Sequence, residues 1–388
     1  TRQPPSALAH GTVATGLPPY GRAHGCQPSR GLKRTAYDVV PGPGRRCCRR
    51  RPGVTGEGAR YGAAMRAIFA AGPNPDDPLS MVRVGERPEP EVSGGWVRVA
   101  VRAASINRHD LWTLRGVGIR AEEFPMILGC DGAGVTEDGR EVVIYPVIAD
   151  PAAVGAAGDE TLDPGRRLLT EGGHQGCMAE YVAVPARNAV PKPAGMSFAQ
   201  AATLGTTYLT AYRMLFTRSG LAPGSTVLVQ GATGGVATAL IQLGAAAGMR
   251  VWATARTEAG RARAETLGAA ATFEASARLP ERVDGVFESV GAATWAHSMK
   301  VVRPGGVVVC CGATTGADPS ADLQRLFFRQ ISVVGSTMGT LDEMQRLIAF
   351  CDAAGVVPMV DKAFPLAEGA AALEEVEHGS AGKVVVTV

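Results

Sequence analysis

The sequence predicts an α/β protein in which a doubly wound parallel sheet is joined to a second, strand-rich domain. Three observations predict it. The stretch Thr226 to Arg256, TVLVQGATGGVATALIQLGAAAGMRVWATAR, reads as strand, glycine turn, helix and strand. Strands and helices then alternate to about Met338, the pattern of parallel βαβ units. From Met65 to about Pro191, by contrast, short strands and turns dominate.

Taken in order, residues 1–64 are rich in Pro, Gly and Arg and poor in large apolar side chains. Such a segment cannot bury enough surface to order itself. It holds 11 Lys and Arg against 2 Asp and Glu, a balance of +9, which leaves −6 on the remainder of a chain whose net charge is +3. The expectation is a disordered or non-native N-terminal extension, with translation starting at Met65, where the strand-like run Met-Arg-Ala-Ile-Phe begins. The arginines at 45, 46 and 49–51 leave open an organelle-targeting tail or a nucleic-acid arm. The mildly acidic body carries no nucleic-acid footprint, so nucleic acid is not an expected partner.

From Met65 to about Pro191 the signals are short strands and turns. Trp96–Arg102, WVRVAVR, alternates as a half-exposed strand does, and Glu141–Val147 and Met178–Val184 are further strands. Ile148–Thr170 is polar and reads as a long surface lobe. No apolar run reaches membrane-spanning length, so no membrane partner is expected. The eight cysteines show no C-x-x-C spacing. Reduced thiols in a cytoplasmic protein are the expectation, without a disulfide framework.

Residues 196–338 form the expected cofactor domain. A helical stretch from Phe198 to Arg218 leads into it. Val227, Leu228 and Val229 make a buried strand. The turn Gly231-Ala232-Thr233-Gly234-Gly235-Val236-Ala237 follows, and apolar residues at Val236, Leu240, Ile241 and Leu243 return at helical spacing. A strand turning sharply into a helix aims free N–H groups at one point, which suits a pyrophosphate. Glycine lets the backbone approach the phosphates, and Ala237 fills the third small position of the dinucleotide fingerprint. A cofactor domain for NAD places an acid about 20 residues on; here Ala255 and Arg256 stand there. Arg256 and Arg261 suit a 2′-phosphate, so NADPH is the expected cofactor. Both are otherwise solvated arginines at a helix start. Further expected elements are helices 258–267, 292–302 and 341–353, and strands 283–288, 306–311, 331–336 and 383–388.

Taken together, several motifs resemble the medium-chain dehydrogenase/reductase superfamily over 65–388. They are Ser105-Ile-Asn107-Arg-His109-Asp110, Phe124-Pro-Met-Ile-Leu-Gly-Cys130-Asp-Gly-Ala-Gly134, Leu209-Thr210-Ala-Tyr212, the glycine turn, Glu288-Ser-Val-Gly291 and Gly382-Lys-Val-Val385. The resemblance implies a GroES-like distorted β-barrel catalytic domain (65–195, completed by 339–388) and a Rossmann-type doubly wound parallel sheet cofactor domain (196–338). It implies a cleft between them and a homodimer paired through the cofactor domain. Zinc members bind the catalytic ion with Cys, His and Cys or Asp; the aligned positions here read Asn107, Cys130 and Thr206. One good ligand does not hold zinc, and the lobe that carries four cysteines for a structural ion has none. The resemblance is therefore to the zinc-independent quinone oxidoreductase-like branch, which implies hydride transfer from NADPH to a quinone or α,β-unsaturated carbonyl. The alternatives are a zinc-type alcohol/aldehyde dehydrogenase with unexpected ligands and a low-turnover cofactor-sensing or RNA-binding scaffold.

The same resemblance nominates site residues. Asn107 donates to a substrate carbonyl or caps a turn. His109 donates or relays a proton, or is structural. Tyr208 reaches substrate or packs in the core. Asp110 orders the loop. The cofactor set is Thr210, Gly231, Ala232, Thr233, Gly234, Gly235, Val236, Arg256, Arg261, Ser289, Val290, Gly312, Ala313, Thr314, Met338 and Lys383. The last of these meets the cofactor's phosphate or ribose, or is a surface charge.

Overall fold

The computed structural model describes residues 63–154 and 158–388. The expectations for the N-terminal extension, its disorder and its arginine run, lie outside these residues.

The described residues open with β1 (Ala64–Ala70), paired antiparallel to β2 (Val82–Pro88). Next comes β3 (Trp96–Ser105), then the short helix α1 (Arg108–Leu114). β4 (Asp131–Thr136), β5 (Glu141–Ile144), β6 (Tyr181–Pro185) and β7 (Ala189–Pro191) follow. The odd positions Val99 and Val101 of β3 are buried, and Arg98 and Arg102 point outward, as period two requires. Glu160 and Thr161, placed by sequence on an exposed lobe, are buried instead. Neighbouring Asp159 pairs with Arg213 at 2.5 Å, and Arg213 also holds Glu343 at 2.7 Å. These ion pairs clamp the lobe onto the cofactor side.

The predicted helix over 198–218 is interrupted. α-Helical turns at Phe198–Ala201 and Leu209–Tyr212 alternate with π-helical stretches at Leu204–Tyr208 and Arg213–Arg218. A π-stretch widens the turn and re-aims side chains; here it does so at Thr206 and Thr207.

The cofactor domain runs β8 (Thr226–Val229), α2 (Gly235–Ala246), β9 (Arg250–Ala255), α3 (Glu258–Thr266), β10 (Ala271–Glu274), β11 (Val283–Glu288), α4 (Ala292–Val301), β12 (Val302–Cys310), α5 (Leu323–Phe328) and β13 (Ser332–Gly335). All six strands are parallel, in the order β10-β9-β8-β11-β12-β13. The order reverses between β8 and β11, and ligands of such sheets bind at the carboxyl ends beside that reversal.

The chain ends with α6 (Leu341–Ala354), β14 (Val360–Pro365), α7 (Gly369–His378) and β15 (Lys383–Thr387). β15 inserts between β14 and β3. Its Val385 pairs with Ser105, which on its other side pairs with Asp131. This row carries three distant parts of the chain into one place. No described helix is long and apolar enough to cross a membrane.

Candidate functional site

Two built places face each other where the parallel strands end. The first is the turn after β8. Gly231 has φ +67°, and a Cβ there would stand 2.8 Å from Val290 Cγ2, so only glycine fits between the turn and the loop after β11. Gly234 caps α2 in extended backbone. The first N–H groups of α2 have no partner within the helix and supply the anion-binding end of a dipole. A Cβ on Gly235 would stand 3.0 Å from Lys383 Cδ and 3.4 Å from Thr207 Cγ2. The floor of the corner is therefore made by the other domain's last strand and by the π-stretch.

A buried polar scaffold, unread in the sequence, holds this corner. Thr254 Oγ1 donates to Gln230 Oε1 at 2.6 Å, and Gln230 Nε2 donates to Ser298 Oγ at 3.0 Å and meets His297 Nδ1 at 2.9 Å. Ser298 and Thr294 donate to the Glu288 carboxylate, which also accepts from the amides of Val290 and Gly291. Ala232 belongs to this scaffold: it is 3% exposed, and its N–H donates to Thr254 O at 2.8 Å. The amide expected to face a cofactor is committed to the protein.

Around the corner the other nominated cofactor residues fall on the strands' carboxyl edge. Thr233, Gly235 and Val236 are half-buried. Ser289, Val290, Gly312, Ala313 and Thr314 lie on two loops packed together, with Thr314 and Thr315 hydroxyls donating to Val290 O. Met338 adopts φ +48° and is buried. Thr210 is buried one turn beyond Thr206. At the end of β9, Arg256 is exposed and has no ion-pair partner among the described residues. Arg261 Nη1 donates to Ala255 O at 3.4 Å, and its guanidinium lies 3.9 Å from Glu274. Both arginines flank Thr257, which caps α3 by accepting from Gly260 N. No carboxylate occupies the end of β9.

The second place lies under Lys383. The β3–α1 junction brings Asn107, the start of β4 brings Cys130 and Asp131, the π-stretch brings Thr206 and Thr207, and β15 brings Lys383. Asn107 Nδ2 donates to Asp131 Oδ2 at 2.8 Å. Asn107 Oδ1 accepts from Lys383 Nζ at 2.8 Å and from Thr207 Oγ1 at 3.1 Å. Lys383 Nζ also donates to Ile106 O at 2.8 Å. Thr206 Oγ1 meets Asp131 Oδ1 at 2.5 Å and Cys130 Sγ at 3.4 Å. Asp110 accepts from the backbone N–H groups of Asn107 and Gly129, so it orders the loop, as read from its place in the motif.

The electrostatics follow from burial. Desolvation pushes the Asp131 carboxyl up, against the opposing pull of Lys383 and of hydrogen bonds from Thr206 and Asn107. Burial pushes Asp110 up despite His109 and its two backbone donors. It pushes the Cys130 thiol well above its ordinary range, helped by Asp131 and Asp110, and it pulls the Lys383 ammonium down.

Three nominated side chains are placed differently from their expected roles. Tyr208 is fully buried and its hydroxyl donates to Gln242 Oε1 while accepting from Met359 N. It is a core tyrosine between α2 and the chain before β14, and it cannot touch an acceptor in the cleft. Lys383 is neither a surface charge nor turned to a phosphate; its stem lies beneath Gly235 and its ammonium serves Asn107. The Asn107 amide, with both ends engaged by protein, offers no free donor to a substrate carbonyl. His109 is half-buried, with Nε2 2.8 Å from Thr170 Oγ1. His174, unplaced by sequence, stacks on Trp96 at 5.4 Å, away from this cluster.

The three positions aligned with zinc ligands do converge, Asn107 Nδ2 lying 3.6 Å from Cys130 Sγ. Their donors are an amide, a thiol and a hydroxyl, with an ammonium alongside. A catalytic zinc takes three good N, S or O ligands, and this set does not fit one. Among the described residues no three His, Cys, Asp or Glu side chains converge in a metal-holding arrangement.

Residues 93–194 match the alcohol dehydrogenase GroES-like domain family and residues 235–353 the zinc-binding dehydrogenase family. A solved NAD-dependent alcohol dehydrogenase is 32% identical, with a TM-score of 0.77, and covers 84% of this chain and 100% of its own. A 2-octenoyl-CoA carboxylase reductase solved with NADP and 2-octenoyl-CoA is 26% identical, with a TM-score of 0.76, over 84% of this chain and 87% of its own. The human quinone oxidoreductase is 27% identical over 310 residues, which is 75% of this chain and 88% of that protein. The parallel sheet with its glycine turn, the barrel-like partner domain and these matches agree: the chain belongs to the medium-chain dehydrogenase/reductase superfamily and is an oxidoreductase of that superfamily, built for a nicotinamide cofactor.

Proposed function

We propose that the protein transfers a hydride from NADPH to a quinone or an α,β-unsaturated carbonyl, without a catalytic zinc. The observation that carries this reading is the Asn107–Cys130–Thr206 donor set, closed by Asp131 and Lys383. Alcohol oxidation in the zinc members relies on a Lewis acid at this place. A cluster of hydrogen-bonding side chains suits an acceptor that is already activated and needs position and a donor at its oxygen. When bound, the cofactor supplies the hydride. The chain's own residues then have separate tasks. The α2 N-terminus holds the diphosphate, Arg256 and Arg261 hold the 2′-phosphate, and Thr206 and His109 line the acceptor side.

The relatives include an alcohol dehydrogenase, a quinone oxidoreductase and a 2-octenoyl-CoA carboxylase reductase, and a donor set that does not fit zinc favours the last two chemistries. Oxidation of NADPH and NADH by the purified protein is to be followed against quinones, enones and aldehydes. The reading expects NADPH to be preferred and quinones or enones to be turned over. Stoichiometric zinc, removed by chelator together with activity, would instead establish the zinc-type alcohol dehydrogenase. Salt-sensitive RNA binding without turnover would establish the scaffold.

The homodimer and the cytoplasmic setting belong to the same reading. β13 is one of the two edge strands of the parallel sheet, and Val333 on it and Leu323, Phe327 and Phe328 beside it are exposed. An unpaired edge flanked by apolar surface is a template for another strand. Light scattering on wild type and on the F327E/F328E double variant, expected to be dimer and monomer, tests it. The described cysteines are free thiols, as a reducing compartment keeps them.

A further inference from the structure

The cluster under Lys383 holds more negative than positive charge, and its hydrogen bonds show where the surplus is neutralised. Asp110 and Asp131 are 0% exposed and Lys383 is 3% exposed. Two carboxylates and one ammonium would leave a net charge sealed from water, which is strongly disfavoured. The two acids are not equivalent. Asp110 accepts from two backbone N–H groups, which cannot reverse their direction and so stabilise a carboxylate. Asp131 accepts one fixed donor, Asn107 Nδ2, at Oδ2; its Oδ1 meets a hydroxyl, Thr206 Oγ1, that donates or accepts with equal ease. The Asn107 donor is itself oriented by Lys383. The other titratable groups facing Asp131 are the Cys130 and Cys177 thiols, both raised by burial, while His109 acts on Asp110, favouring its carboxylate.

Access is also graded. Thr206 alone of the Asp131–Asn107–Lys383–Thr206 group is partly exposed. The π-stretch presents it, and Gly205 allows the approach: a Cβ there would stand 2.9 Å from Asp131 Oδ1 and 2.7 Å from Ile144 O.

We propose that Asp131 is held as the neutral acid and delivers its proton through the Thr206 hydroxyl to the oxygen of the acceptor. This rests on the reductase reading. As the hydride forms a C–H bond at the β-carbon of an enone, the π-electrons move onto the carbonyl oxygen. That oxygen takes the Thr206 hydroxyl proton, and Thr206 Oγ1 takes the proton of Asp131. Asp131 is left as a carboxylate, balanced by Lys383 and the Asn107 amide, and is reprotonated from solvent after product leaves. The enol becomes the ketone in solution. Thr206 is the catalytic residue; Asp131, Asn107 and Lys383 act through it.

Infrared spectroscopy of the protein without cofactor reads the acid directly. The C=O band of a protonated carboxyl is expected at neutral pH in wild type and T206V and not in D131N. In turnover, T206V is expected to lower kcat by about 10²–10⁴-fold, the range for a lost general acid, with the NADPH dissociation constant unchanged. T206S is expected to restore most of the rate, and wild-type kcat to fall as pH rises and the acid empties. A wild type without the band overturns the proposal. So does a T206V that folds and retains kcat within about twofold. A wild type that shows the band yet reduces no quinone or enone overturns the functional reading while leaving the stored proton in place.

Discussion

The phosphate corner and the acceptor cluster lie on opposite sides of Gly235 and are built on different rules. The corner uses backbone: a strand end, three glycines and the first N–H groups of α2. Its shape depends on φ angles and the lack of Cβ atoms, and both follow from a few adjacent residues. The cluster uses side chains from four places in the chain, Asn107, Cys130–Asp131, Thr206–Thr207 and Lys383. No two of these places lie within twenty residues of each other along the chain. Lys383 joins the two regions, its stem under the corner and its charge in the cluster. The comparison teaches that the proposed anion site is written locally, whereas the proposed proton site is written across the fold.

The largest expected effect breaks the cluster alone. Lys383→Met removes the ammonium that offsets the sealed Asp110 carboxylate and orients Asn107, and a loss of about 3–5 kcal/mol in chemical denaturation is expected. A loss below about 1 kcal/mol, the scale of a surface ion pair, would mean that the cluster is wetter than its burial indicates.

Next, Arg256→Ala acts on the adenosine end and leaves the cluster intact. Loss of a charge-assisted contact of about 1.5–3 kcal/mol weakens NADPH binding roughly 10- to 150-fold. NADH binding is expected to be unchanged in the same titration. Equal losses for both cofactors would remove the arginine from the 2′-phosphate.

Gly205→Ala probes the approach between the π-stretch and β4. The added Cβ meets Ile144 O and Asp131 Oδ1 below van der Waals distance, with an expected cost of about 1–3 kcal/mol. Turnover is expected to fall by more than NADPH affinity, because Thr206 moves and the corner does not.

Asp131→Asn sharpens the electrostatic side of the comparison. The folded carboxyl titrates above its ordinary 3.8, so its contribution to stability is complete below 3.8 and is lost as pH rises through the higher folded value. Thermal melts across that window are expected to decline with pH in wild type and to be flatter in D131N. The smallest effect belongs to Tyr208→Phe: about 1 kcal/mol for the lost hydroxyl bonds and no change in turnover. A large kinetic defect would return that tyrosine to the acceptor.

Much of the fold was legible because its signals are periodic. The β8–α2–β9 unit, the later βαβ alternation and the return strand at 383 all appear near their predicted bounds. The π-stretches were not legible, since over so short a helical segment a shift of one residue in the apolar pattern does not stand out. Lobe residues 159–161 were misread as exposed because the ion pair from Asp159 to Arg213 spans 54 positions. Gln230 and Thr254 escaped notice because they sit at the ends of apolar strands, where one polar residue looks like a boundary, and Glu288 was read only as part of a motif, not as a buried acceptor. A signal was present for Asp131: an acid within the apolar run Ile127-Leu-Gly-Cys-Asp-Gly-Ala133 is costly to bury without a task.

From the sequence alone came the class of the sheet, the anion-binding turn, the missing acid after β9 and the weakness of the metal-ligand set, since each depends on neighbours in the chain or on residue type. The tertiary structure decided which side chains meet: it sent Tyr208 into the core, turned Lys383 toward Asn107 and left Thr206 as the partly exposed member of the group around Asp131. The reason is that burial and charge balance are properties of a place, and a place exists only after β3, β4, the π-stretch and β15 have come together.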